Sequence, residues 1–253
     1  MGADRVRRRR SSGALSIIQP VGYRVVLFDA GETLVHPHPS FPELLAQILR
    51  EEGHPTDPAE IREKVHVVAE IFTRAAEDGE LWSTSPERSR AFWDRVYGRL
   101  LGEMGVPFEE AIAGRIYGTF TDLGNYRLFD DVLPALDRLA AARVRLGVVS
   151  NFEEWLERLL ESLGVTRYFE VRVISGVEGV EKPDPKIFRL ALERMRVEPG
   201  EAAYVGDSIH FDIEPATALG MLGVLLDRRG RSPDHAGPRI TSLDELPAVL
   251  ERG

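Results

Sequence analysis

The chain has 253 residues, 43% of them hydrophobic and 29% charged, a balance that can bury a real core and excludes disorder as the main state. A net charge of -9 argues against a nucleic-acid surface, which needs basic residues to neutralise phosphates, and leaves a small molecule as the expected partner. With no cysteine there is neither a disulfide framework nor a thiolate metal site, so any metal must sit on oxygen or imidazole.

Residues 1–21 open with Arg5 and Arg7 to Arg10, then Ser11, Ser12 and Gly13, and read as a disordered basic tail. Only Ala14 to Ile18 is partly apolar after the arginines, shorter than the ~7 to 15 residues of a signal-peptide core. No apolar run approaches the roughly 20 residues of a membrane span, so the expected location is the cytoplasm, with no membrane partner.

The first predicted strand is Arg24 to Phe28. More than a hundred residues then pass with almost no strand signal, where one crossover helix needs only a dozen or so, so a helical insertion is expected over 36–121. Within it, Phe41 to Glu52 reads as a helix closing at Gly53, and Asp57 before Pro58 and Ser85 before Pro86 read as N-caps followed by proline. Ile61, Val65, Val68 and Phe72 trace one apolar face, and Pro107 opens a last helix near Phe108 to Thr119. Trp82, Trp93, Tyr97, Tyr117 and Tyr126 lie in or beside this insertion and are expected to be mostly core packing.

Beyond it, β-branched runs at Val144 to Val149, Val171 to Ile174, Ala202 to Val205 and Leu222 to Leu226 alternate with helical periodicity at Val132 to Ala142, Glu154 to Leu163, Pro185 to Met195 and Ile213 to Leu219. That alternation predicts a doubly wound, Rossmann-like α/β core of parallel strands over 22–35 and 122–253.

Polar residues gather where these strands end, the edge at which open α/β sheets bind ligands. Asp29 follows the first strand, Ser150 and Asn151 end the second, and Asp207 follows the fourth with Asp212 five positions on. Each alone could be a turn or helix cap. Converging carboxylates repel one another unless a cation offsets them, and a divalent cation with oxygen ligands meets that need. Lys182, in Lys-Pro-Asp-Pro, is either a surface charge or a cation held by stiff prolines beside an anion.

Taken in order, Asp29 with Thr33, Ser150, Lys182 and Gly206-Asp207-Ser208 with Asp212 resemble the four motifs of the haloacid dehalogenase (HAD) superfamily, with the insertion where a helical type 1 cap belongs. The resemblance implies a magnesium-dependent, phosphatase-like hydrolase of a small phosphorylated metabolite, with Asp29 forming an aspartyl-phosphate that water cleaves. It implies Mg2+ on Asp29, Asp207 and the Gly31 carbonyl, with Asp212 bound directly or through water, and Thr33, Ser150 and Lys182 on the phosphoryl group, with Asn151 on substrate. Position 31 departs from the pattern: family phosphatases carry there an Asp that protonates the leaving group, worth ~10² to 10⁴ in rate, and this chain has Gly31. Four alternatives follow: Glu32, or His36 or His38, substitutes as the acid; the ester needs little protonation; the protein is a weak or inactive ligand-binding or interaction protein; or it is a 2-haloacid dehalogenase, whose halide leaves unprotonated.

Overall fold

A computed structural model describes residues 22–251; the basic tail expected over 1–21 lies outside them. Strand β1 (Val25–Phe28) is buried throughout, and a short β2 (Val35–Pro37) follows it. Three side-chain caps then start helices of the insertion. Ser40 caps α1 (Phe41–Glu51) by accepting from the Glu43 N–H, Asp57 caps α2 (Pro58–Lys64) from the Ala59 N–H, α3 (His66–Glu77) follows directly, and Ser85 caps α4 (Pro86–Glu103) from the Arg88 N–H. After α5 (Glu110–Thr121), β3 (Tyr126–Leu128) pairs antiparallel with β2, Val35 opposite Leu128.

The remaining chain alternates. It forms α6 (Val132–Ala141), β4 (Arg145–Ser150), α7 (Leu156–Ser162), β5 (Phe169–Ile174), the one-turn α8 (Ser175–Glu178), α9 (Pro185–Met195), β6 (Ala202–Gly206), α10 (Glu214–Ala218), β7 (Leu222–Leu226), β8 (Arg239–Ile240) and α11 (Leu246–Leu250). All six strands of the main sheet are parallel, in the order β5-β4-β1-β6-β7-β8. Alternation along β1 divides the core: Val26 and Phe28 join Leu136, Leu139, Leu156 and Leu246 on one face, while Val25 and Leu27 join Ile187, Phe188, Ala191 and Ala216 on the other. The doubly wound parallel sheet with a helical insertion is therefore the architecture observed.

The insertion has a core of its own, including Leu45, Leu49, Ile61, Tyr97, Leu100 and Ile116. Trp82 stacks on Phe92 at 5.0 Å and Trp93 on Tyr97 at 5.5 Å, so these rings pack within it as expected. Several boundaries differ from the sequence expectation. The apolar face through Val65 is broken between α2 and α3, and Val67 takes the buried place instead. The helix expected from Ile213 is preceded by a π-type turn over Ile209–Ile213, in which the Ile213 N–H reaches the Ser208 carbonyl five residues back at 3.2 Å while the Asp212 carboxylate accepts from the Ser208 N–H at 3.0 Å.

Asp227, just past β7, accepts from the Arg231 N–H at 2.8 Å and from the Ser232 N–H and Arg239 Nε at 2.9 Å each. Burial opposes its charge, but these donors outweigh it and hold the pKa down at about 2, against an ordinary 3.8. A depressed carboxylate pKa contributes stability above its unfolded value and loses it as pH falls through the folded one. Asp227→Asn is therefore expected to melt several degrees below the parent at pH 7, with the gap closing as the pH is lowered to about 2. An equal gap at both pH values in thermal melts would contradict this assignment.

Candidate active site

β1, β4 and β6 are adjacent, so the residues at their carboxyl ends meet: Asp29 after β1, Ser150 ending β4 and Asp207 after β6. Carboxylate oxygens of Asp29, Asp207 and Asp212 all lie within 4.8 Å of one another. Asp29 and Asp212 are buried, while Asp207 is the member open to solvent. Gly206 permits this approach, since a Cβ there would sit 2.4 Å from the Asp212 carboxylate.

Lys182 is the cation among them. Its buried Nζ donates to Asp29 Oδ1 at 2.7 Å and to Asp212 Oδ1 at 2.6 Å, and it lies 3.2 Å from the Tyr204 hydroxyl. Burial by itself would favour loss of its proton, but Asp212 and Asp29 outweigh burial and push its pKa up. One ammonium cannot offset three carboxylates, and Asp212 and Asp207 show the deficit. Burial raises Asp212 against the pull of Lys182, and the charge of Asp29 adds to it; Asp207 reaches solvent at one edge, but its carboxylate is desolvated among the other acids and is raised by that and by the charges of Asp29, Asp212 and Glu32. A cluster with excess negative charge, all-oxygen ligands and one member facing solvent fits a divalent cation such as magnesium.

Ser150 Oγ donates to Asp29 Oδ1 at 3.1 Å. Asn151 does not reach the carboxylates; its side chain clamps the Lys182 backbone, donating to the carbonyl at 2.7 Å and accepting from the N–H at 2.6 Å. Thr33 is fully buried, its hydroxyl without a hydrogen-bond partner among the described residues. Glu32, at a left-handed φ of 56°, pairs with Arg229 at 2.6 Å. His36 Nδ1 lies 2.8 Å from the Pro37 carbonyl, and its ring packs against Phe129, with that of His38 6.3 Å away.

Tyr204 was not among the expected site residues. Its hydroxyl donates to the Val149 carbonyl at 2.8 Å and lies 3.2 Å from Asp212 Oδ1, so it braces the lysine from below. In the sequence it is one residue of a buried apolar strand, and only the return of Lys182 and Asp212 to its hydroxyl reveals a role.

A family model described as haloacid dehalogenase-like hydrolase matches residues 23–220, most of the chain and every strand-end residue above. The chain belongs to the HAD-like hydrolases. Its sequence is 29% identical over 246 residues to the zebrafish (Danio rerio) haloacid dehalogenase-like hydrolase domain-containing protein 3, covering 91% of this chain and 98% of that one. It is 36% identical over 145 residues to a glyceraldehyde 3-phosphate phosphatase of Methanopyrus kandleri, covering 55% of this chain and 61% of the relative. In fold it resembles the HAD hydrolase YfnB of Bacillus subtilis, solved with magnesium bound, at a TM-score of 0.72 and 20% identity over 90% of this chain and 98% of that one. The helical segment α1 to α5, between β2 and β3, is the HAD type 1 cap. No helix of the described residues is long and apolar enough to cross a membrane.

Proposed function

We propose that this HAD-like hydrolase is a magnesium-dependent phosphatase of a small phosphorylated metabolite, with Asp29 as nucleophile. The observation that carries the proposal is the carboxylate cluster bridged by Lys182 at the sheet edge. The phosphatase relative, named for a three-carbon sugar phosphate, supports the substrate class.

Asp29 Oδ1 is occupied by Ser150 and Lys182, which leaves Oδ2 to attack phosphorus. The P–O bond to the leaving group breaks as the Asp29–phosphorus bond forms, and water then cleaves the acyl phosphate, returning Asp29 and inorganic phosphate. Asp29, Asp207 and the Gly31 carbonyl would hold magnesium, with Asp212 joining directly or through water. When bound, the ion supplies positive charge that offsets repulsion between nucleophile and phosphoryl group. Ser150 and Lys182 fix the nucleophile and, with Thr33, would hold the phosphoryl oxygens, while Asn151 fixes the loop that carries the lysine.

No side chain at Gly31 protonates the leaving oxygen, and Glu32 is the nearest acid in sequence. If it acts, it must leave Arg229 first. That same gap favours the second reading, a protein that binds a phosphorylated ligand and turns it over slowly or not at all. The deciding experiment measures phosphate release from p-nitrophenyl phosphate and a panel of sugar and hydroxy-acid phosphates, with magnesium, with EDTA, and with Asp29→Asn. Release should require both magnesium and Asp29. Release no greater than that of Asp29→Asn would overturn the phosphatase, and metal-independent halide release from a 2-haloacid would replace it with a dehalogenase.

A further inference from the structure

Outside the carboxylate cluster the described residues hold two buried acids that the reaction does not use, Asp227 and Glu181; Asp227 is paired with Arg239. Glu181 is 4% exposed and makes no ion pair among the described residues. Its carboxylate is met by neutral donors from the cap: the Trp82 N–H at 3.0 Å, the Ser83 N–H at 2.7 Å and the Ser83 hydroxyl at 2.6 Å. Buried in the seated interface, such a charge is tolerated only when it is hydrogen-bonded, and there these donors supply the bonds.

Glu181 directly precedes Lys182, and the contacts form a closed circuit. Lys182 is clamped through its backbone by Asn151, whose neighbour Phe152 donates its N–H to Ser175 Oγ at 2.9 Å. Ser175 Oγ lies 2.6 Å from Ser83 Oγ, returning the circuit to the cap. Gly176 allows α8 to lie this close, since a Cβ there would fall 2.9 Å from the Phe152 carbonyl. A second cap contact reinforces the same loop: Glu153 accepts from Ser89 Oγ at 2.7 Å and from the Tyr117 hydroxyl at 2.9 Å.

We propose that Glu181 is a positioning residue that latches the cap segment Trp82–Ser83 to the loop carrying Lys182, so that seating the cap and placing the lysine are one event. The proposal rests on the reading of Lys182 as part of the active site. The latch is polar, so water can replace the cap's donors when the cap lifts, whereas an apolar contact would resist opening. Lifting removes both backbone donors and the Ser83 hydroxyl together, which frees Glu181 and loosens the segment that aims Nζ at Asp29.

The chain has no native cysteine, so spin labels can be placed at Thr73→Cys on α3 and Arg189→Cys on α9, both exposed, without background. Glu181→Gln keeps the shape but replaces one acceptor by an amide donor facing the Trp82 and Ser83 N–H groups. Pulsed electron resonance should give one narrow distance distribution for the parent and an added, longer and broader population for Glu181→Gln, with a smaller shift for Ser83→Ala. The Lys182 Nζ signal, followed by 15N NMR, should move or broaden in both variants. An unchanged distance distribution overturns the latch, and a changed distribution with an unmoved Nζ signal overturns the coupling. If Glu181→Gln fails to fold, Ser83→Ala carries both readouts. Neither readout counts turnover, so failure of the phosphatase proposal and failure of the latch are seen separately.

Discussion

Gly31→Asp is expected to raise magnesium-dependent phosphate release by roughly 10²-fold or more, the scale that a positioned general acid contributes. Room for the side chain exists: a Cβ at Gly31 meets nothing nearer than a Phe152 ring carbon at 4.0 Å, ordinary van der Waals contact. The new carboxylate would stand two residues from Asp29 on the same loop, where the leaving oxygen departs. The gain should vanish when Asp29→Asn is added, and thermal melts should show that the fold tolerates the change. Kinetics on a poor leaving group, such as an alkyl phosphate, are the sensitive measurement, because p-nitrophenolate leaves with little help from an acid. If Gly31→Asp leaves alkyl phosphate hydrolysis unchanged, proton delivery is already provided by another group, and Glu32→Gln in the parent becomes the informative variant.

Lys182→Met should be the most damaging single change to the metal-free fold. It removes the ammonium that pairs with both Asp29 and Asp212 and leaves buried carboxylates uncompensated. Breaking a buried ion pair from one side costs about 3–5 kcal/mol, or roughly 10 °C in melting temperature for a chain of this size. The same substitution makes the cluster more negative, so magnesium should recover more stability in the variant than in the parent. Melts across a magnesium titration read both effects. A variant that melts with the parent in EDTA would show that Lys182 is not the counter-ion of this cluster.

Much of this architecture was legible in the sequence because each central strand is an apolar run that stops at a polar residue. Asp29, Ser150 and Asp207 end or follow such runs, and the parallel order of β1, β4 and β6 brings those ends together. The loop containing Lys182 could be recognised from its prolines, but where the lysine points depends on contacts 153 and 30 residues away in sequence. Tyr204 and Glu181 were missed for a related reason. Each carries a local pattern that explains it adequately, a buried strand position and the flank of a proline-rich loop, while its partners lie on other elements. β2, β3 and β8, at two or three residues each, are too short for alternation to be read. The break at Val65 escaped because a two-residue shift, from Val65 to Val67, preserves the apolar count while changing which residue is buried.

The pairing of β2 with β3 sets Val35 and Leu128 side by side, although 93 positions separate them in sequence. Arg228 fastens the same junction from the sheet, stacking over Phe129 at 4.0 Å, bonding to Asp131 and donating to the Thr33 carbonyl. The intervening helices thus leave and return at one point, and the strand pairings of the main sheet are independent of what lies between. In evolutionary terms the ribbon is a splice site. An excursion of different length, even a tight hairpin turn, can be inserted there at a chain-entropy cost that grows only logarithmically with its length, without rewiring the six-stranded sheet.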